Sequence, residues 1–99
     1  MRKSIQESKS GPASKRVTFT VSANPNSEVY VAGSFNNWDP RRHQLKDTRK
    51  NGKYTITLML PKGEYEYKYV INSNWVVDPE CQDWVRNSYG TLNSVKKVE

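Results

Sequence analysis

Apolar residues in this chain recur mostly at every second position, in short runs divided by turn-forming residues. Val17, Phe19 and Val21 alternate with Thr18 and Thr20, all β-favouring types, which predicts a half-buried strand. Asn24-Pro25-Asn26-Ser27 then turns the chain into a second strand, Glu28–Ala32, as a hairpin or as a crossing between two sheets. Gly33, Ser34, two asparagines, Asp39 and Pro40 end that strand and leave Trp38 on a loop. Residues 41–51 are charged with only Leu45 as an anchor, an exposed excursion holding a short strand around Leu45.

Asn51-Gly52 is a turn signal, and beyond it Tyr54, Ile56, Leu58 and Leu60 alternate with Thr55, Thr57 and Met59. Pro61-Lys62-Gly63 separates that strand from the next, Glu64–Ile71, which puts Tyr65, Tyr67, Tyr69 and Ile71 on one face and Glu64, Glu66, Lys68 and Val70 on the other. Asn72-Ser73 forms a two-residue turn, Asn74–Val77 returns antiparallel, and Asp78-Pro79 ends the run. Residues 80–89, with Trp84, read as a loop before a last strand over 91–98. No segment carries a helical period, so the pattern predicts an all-β fold, a two-layer antiparallel β-sandwich.

If Asn72-Ser73 is the hairpin loop, Val70 faces Trp75 and Lys68 faces Val77. Taking the tyrosine face as core places Trp75 and Lys68 as diagonal neighbours on the solvent side. Three accounts of an exposed Trp beside a Lys stand open: a cation–π contact worth about 0.5–1 kcal/mol, a protein-contact patch, or a sugar site. In the last, the indole covers the apolar face of a pyranose and the ammonium bonds its hydroxyls. For Trp38 the choices are a lid on the core or an exposed platform.

A length of 99 residues suits one domain. The net charge of +6 invites a polyanion partner, but residues 1–16 hold five basic side chains against one acid, leaving the rest at only +2. The excess thus belongs to a basic, Ser-rich tail, residues 1–15, expected to be disordered, ahead of a folded module over 16–99. Nucleic acid is accordingly not expected as a partner. The single Cys81 rules out an internal disulfide, and with His43 the only histidine there is no metal-site pattern and no cofactor to assign. No apolar run reaches membrane-spanning length and no secretion signal follows the N-terminus, so the expectation is a cytoplasmic protein free of membranes and a monomer. Asp78, Glu80 and Asp83 are a local acidic group, but no partnered Ser, Cys or His accompanies them, and an enzyme is not expected.

Val29-Tyr30-Val31-Ala32-Gly33-Ser34-Phe35-Asn36-Asn37-Trp38, Gly63-Glu64-Tyr65-Glu66-Tyr67-Lys68-Tyr69-Val70, Trp75-Val76-Val77-Asp78-Pro79 and Tyr89-Gly90-Thr91-Leu92-Asn93-Ser94-Val95, in that order, resemble the glycogen-binding module of the AMP-activated protein kinase β subunit. The same module, of the isoamylase early-set group, precedes the catalytic domains of branching and debranching enzymes. The resemblance spans about residues 16 to 98. It implies an immunoglobulin-like sandwich of early-set type, without catalytic activity, that binds α-1,4-linked glucan such as glycogen, starch or maltooligosaccharide. It further implies that Trp38 and Trp75 are stacking platforms, and that Lys68 and Asn93 are the main hydrogen-bonding residues. Tyr89 stands where the family often has Leu, and Thr91 adds a backbone or hydroxyl contact. Asn72-Ser73 replaces the family's usual Asp-Gly turn, which is expected to loosen the hairpin carrying Trp75. Trp84 has no counterpart role; packing over the sandwich end is expected, with an extra sugar contact as the alternative. The rival to glucan binding is a protein-interaction module that recruits a glycogen-metabolism enzyme.

Overall fold

The structure, a computed structural model, describes residues 14–99. Eight strands run in the order β1 (Ser14–Ser22), β2 (Val29–Gly33), β3 (His43–Leu45), β4 (Lys53–Pro61), β5 (Gly63–Ile71), β6 (Asn74–Val76), β7 (Trp84–Arg86) and β8 (Leu92–Val98), with one 3-10 turn at Ser34–Asn36. β1 and β4 form one antiparallel sheet, and β3-β2-β5-β8-β7 form the other, with β6 also paired to β5. The segment between β1 and β2 is therefore a crossing between sheets and not a hairpin. β1 begins at Ser14, opposite Pro61, with Lys15 opposite Leu60, inside the stretch expected to be tail. Backbone pairing with β4 needs no apolar side chain there, which is why the hydrophobic pattern stops at Val17. The remainder of the expected tail, 1–13, lies outside the described residues.

The alternation read along the chain becomes two facing layers. Val17, Phe19 and Val21 of β1 stand directly opposite Leu58, Ile56 and Tyr54 of β4. They meet Val29, Val31, Tyr67 and Tyr69 from the larger sheet in one buried cluster with Leu45. Phe19 packs edge-on against Tyr67, ring centres 5.0 Å apart, and Tyr67 against Tyr69 at 5.7 Å. The outward residues of the small sheet, Thr18 with Thr57 and Thr20 with Thr55, pair through their hydroxyls at 3.0 and 3.2 Å.

Burying tyrosines requires partners for their hydroxyls. Asp78, itself buried, accepts from Tyr67 Oη at 2.7 Å; the single Tyr69 hydroxyl proton is shared between the Thr20 carbonyl at 3.1 Å and Asp78 Oδ2 at 3.4 Å. Burial first, and the Asp78 carboxylate second, push both phenol pKa values far up, so these hydroxyls remain donors. Asp78 is thus committed to the core, with its backbone N–H donating to Ser94 and its other oxygen accepting from Glu80 N. Tyr54 Oη ties the turn after β1 to β4, donating to the Asn24 carbonyl at 2.7 Å.

Residues 80–89 are not wholly loop: Trp84–Arg86 form β7, an edge strand on β8. Three residues are too short to display a period. Trp84 faces Ser94, which faces Tyr67, so the indole lies on the core side of the sheet, yet beyond the cover of β1 and β4 it is 53% exposed. The place over the core rings goes to Lys96, whose Nζ sits 5.4 Å from the Phe19 ring centre. No helix among the described residues is long and apolar enough to cross a membrane.

Candidate functional site

The outer face of β5 is the floor of a groove. Its hairpin register is the one set by a two-residue loop: Val70 opposite Trp75, Tyr69 opposite Val76, Ile71 opposite Asn74. Asn72 and Ser73 adopt φ of 50° and 72°, the left-handed pair a tight hairpin turn needs. The turn is also anchored to the chain entering β2: Asn72 Oδ1 accepts from Glu28 N at 3.0 Å, and Asn72 N donates to the Glu28 carbonyl at 2.8 Å. The turn is thus tied to the residue before β2, while Ser73 holds a positive φ at the place of the family's glycine. On its other edge β5 meets β8 up to the Tyr67–Ser94 pair, and one step further in register brings Lys68 beside Asn93.

The Trp38 loop is held by buried Asn36. Its Oδ1 accepts from Gly33 N at 3.0 Å, and its Nδ2 donates to the Val31 carbonyl at 3.1 Å and to His43 Nδ1 at 2.9 Å. An amide nitrogen has no lone pair to offer, so His43 Nδ1 must accept and the ring must be neutral with its proton on Nε2. Burial, assisted by Arg42 and opposed by Asp39, lowers the His43 pKa and keeps it so. Gly33 is needed where the chain leaves β2: a Cβ there would strike the Glu66 carbonyl, the Phe35 ring and Tyr67 Cβ. The loop closes with Trp38 N donating to the Gly33 carbonyl at 2.9 Å, and it sets both Asn37 and Trp38 at φ 58°. A bulky residue in that region is strained by about 1–3 kcal/mol and persists only where its surroundings impose it.

The third wall is the turn between β7 and β8, organised by Asn87. Its Oδ1 accepts from Tyr89 N at 2.9 Å and Thr91 N at 3.1 Å, while its Nδ2 donates to Thr91 Oγ1 at 2.7 Å. Gly90 takes the positive φ of 84° and Tyr89 projects at the tip, 90% exposed. Thr91 Oγ1 also accepts from Lys68 Nζ at 3.1 Å. With two donors already aimed at that oxygen, its own proton is turned outward. Asn93 Nδ2 donates to Glu66 Oε1 at 2.9 Å, fixing the amide.

Together these walls enclose an open groove of about 810 Å³ lined by Trp38, Lys68, Trp75, Tyr89, Thr91 and Asn93, together with Glu66, Arg86, Asn87 and Ser88. All six residues singled out in the sequence thus meet on one surface. Trp75 is 46% exposed, and Trp38 is partly so. Sequence reasoning missed the last four. Glu66 had a signal, since it precedes Lys68 by two and shares its face; Asn87 had only the turn composition around Gly90. Chemically the groove offers aromatic faces plus fixed donors and acceptors of both kinds, a lining suited to a ligand with apolar faces and hydroxyl edges. Among the described residues no group of three His, Cys, Asp or Glu side chains is placed to hold a metal.

Known proteins resemble this chain in sequence and in fold. Residues 16–99 match the family model described as the glycogen recognition site of AMP-activated protein kinase. The 5'-AMP-activated protein kinase subunit beta-1 of Rattus norvegicus is 33% identical over 95 residues, 96% of this chain and 33% of that protein. The beta-1 subunit of Sus scrofa is 38% identical over 72 residues, 73% of this chain and 55% of that sequence. This chain spans about a third of the length of most of these curated relatives. Among solved structures, maltogenic amylase from S. marinus superposes with a TM-score of 0.64 at 20% identity, over 90% of this chain and 15% of that one, a likeness of fold. With matched residues running from the first strand to the last, the chain belongs to the AMP-activated protein kinase glycogen-recognition family.

Proposed function

We propose that this domain is a non-catalytic, monomeric, cytoplasmic module that binds α-1,4-linked glucan, the class that includes glycogen and maltooligosaccharides. Trp38 and Trp75 act as stacking platforms and Tyr89 as a third ring at the groove's end. Lys68 donates to sugar hydroxyls, the outward proton of Thr91 donates to another, and Asn93 offers its remaining amide hydrogen. The observation that carries this reading is that both indoles open onto one groove on the outer face of a single sheet. If each ring contributes about 1–3 kcal/mol, as bases do on aromatics, affinity for one short chain is modest after association costs. A branched polymer compensates by rebinding.

Titration with maltoheptaose and β-cyclodextrin, followed by Trp fluorescence, should show saturable binding that cellooligosaccharides do not reproduce. Equal response to both glucan types, or to neither, would remove the proposal. Lys68→Ala should weaken glycogen retention less than loss of either indole. A second reading follows from the relatives being named as kinase subunits: the same module also contacts a partner enzyme and brings it to the polymer. Glycogen pull-down of a partner that fails without this domain would support it.

A further inference from the structure

Trp75 stands between two depressions. Beyond the indole, on the side away from Tyr89, lies a second, smaller notch of about 130 Å³, walled by Glu28, Tyr30, Pro40, Arg41 and Ser73 and floored by Val70. Tyr30, Val70 and Trp75 form one row across β2, β5 and β6, each directly opposite the next and all on the outer face. Val70 points toward solvent by register yet is only 5% exposed, because the flanking rings close over it. The result is an aromatic wall on either side of an apolar floor. The Glu28 carboxylate and the Arg41 guanidinium stand at its rim, one an acceptor and the other a donor, and neither is hydrogen-bonded to another side chain among the described residues. This is the same combination of ring faces and opposed polar groups that lines the main groove, continued past Trp75.

We propose that this notch is an additional sugar subsite, so that a glucan lying across the Trp75 indole reaches past it and sets a further glucose against Tyr30. Arg41 donates to that unit's hydroxyls and Glu28 accepts from them. The proposal rests on the glucan reading above and deepens it: it makes affinity depend on chain length, with short oligosaccharides confined to the main groove and longer ones using both depressions.

The test is calorimetric titration of the whole chain and of Tyr30→Ala, Tyr30→Phe and Arg41→Ala with maltotriose and with maltoheptaose. Maltotriose affinity should be unchanged in all three. Maltoheptaose affinity should fall about fivefold or more in Tyr30→Ala and by a smaller factor in Arg41→Ala, while Tyr30→Phe keeps most of it. Arg41 is exposed, so its variant reports on the notch even if Tyr30→Ala disturbs β2. Maltoheptaose binding unaffected by either alanine, or both sugars weakened alike, would overturn the subsite and leave the main groove standing. If the unaltered protein binds neither sugar, the glucan reading itself falls, and the subsite with it.

Discussion

The sheet built around β5 has aromatic side chains on both of its faces, and the two sets are held in opposite ways. Inward, Tyr67 and Tyr69 are almost fully buried, packed against Phe19 and each other, with their hydroxyls saturated by Asp78 and the Thr20 carbonyl. Outward, Trp75 is 46% exposed and Trp38 partly so, and both are positioned by backbone turns that polar side chains enforce, Asn72 for one and Asn36 for the other. Rings of the first set stabilise the sandwich because they leave water. Those of the second set keep their apolar faces in water and can gain from burial only when something covers them. One sheet thus keeps its buried rings and its exposed rings apart on opposite faces.

Substitutions can test that separation. The largest effect should come from Tyr67→Ala, which opens the core and orphans part of Asp78: a loss of about 3–5 kcal/mol in urea-monitored stability is expected. Whatever fraction remains folded should still bind. Trp75→Ala and Trp38→Ala should do the reverse, losing most glycogen retention, tenfold or more, while changing stability by less than about 1 kcal/mol. A collapsed fold in either variant would place that indole with the structural set and break the comparison.

Next in size is the pH response of the Trp38 loop. The His43 pKa is held below its ordinary 6.5, so the unfolded chain takes up this proton more readily than the folded one. The stability tied to neutral His43 is complete above pH 6.5 and drains away as pH falls through the depressed folded value. Protonation places a hydrogen on Nδ1, against the Asn36 amide donor, and glucan binding at Trp38 should weaken with it. Urea midpoints from pH about 7.5 down to 5 should fall in the native protein, and this component should vanish in His43→Leu. The smallest effect is Ser73→Gly: relief of a non-glycine residue at φ 72° should raise stability by about 0.5–1 kcal/mol with glucan affinity unchanged.

The groove was readable in the sequence where the chemistry was local. The Asn72-Ser73 turn fixes register by itself, and register alone puts Trp75 and Lys68 on the face opposite the tyrosines. Motif resemblance supplied Trp38, Tyr89, Thr91 and Asn93, which no period could have brought to the same place. The polar pins were not readable: Asn36, Asp78 and Asn87 look like ordinary turn residues until their partners arrive. β7 escaped notice because three residues carry no pattern.

The order of apolar and polar residues was enough to determine the longer strands and which way their side chains point, because a two-residue period is a property of the extended backbone alone. Only the tertiary structure decided which strands share a sheet, which polar side chains find each other across it, and that the Trp38 loop, the hairpin and the Asn87 turn close on one groove. Those outcomes turn on contacts distant in sequence, such as Lys68 with Thr91 and Glu28 with Asn72, and no local rule of chain geometry carries information over that distance.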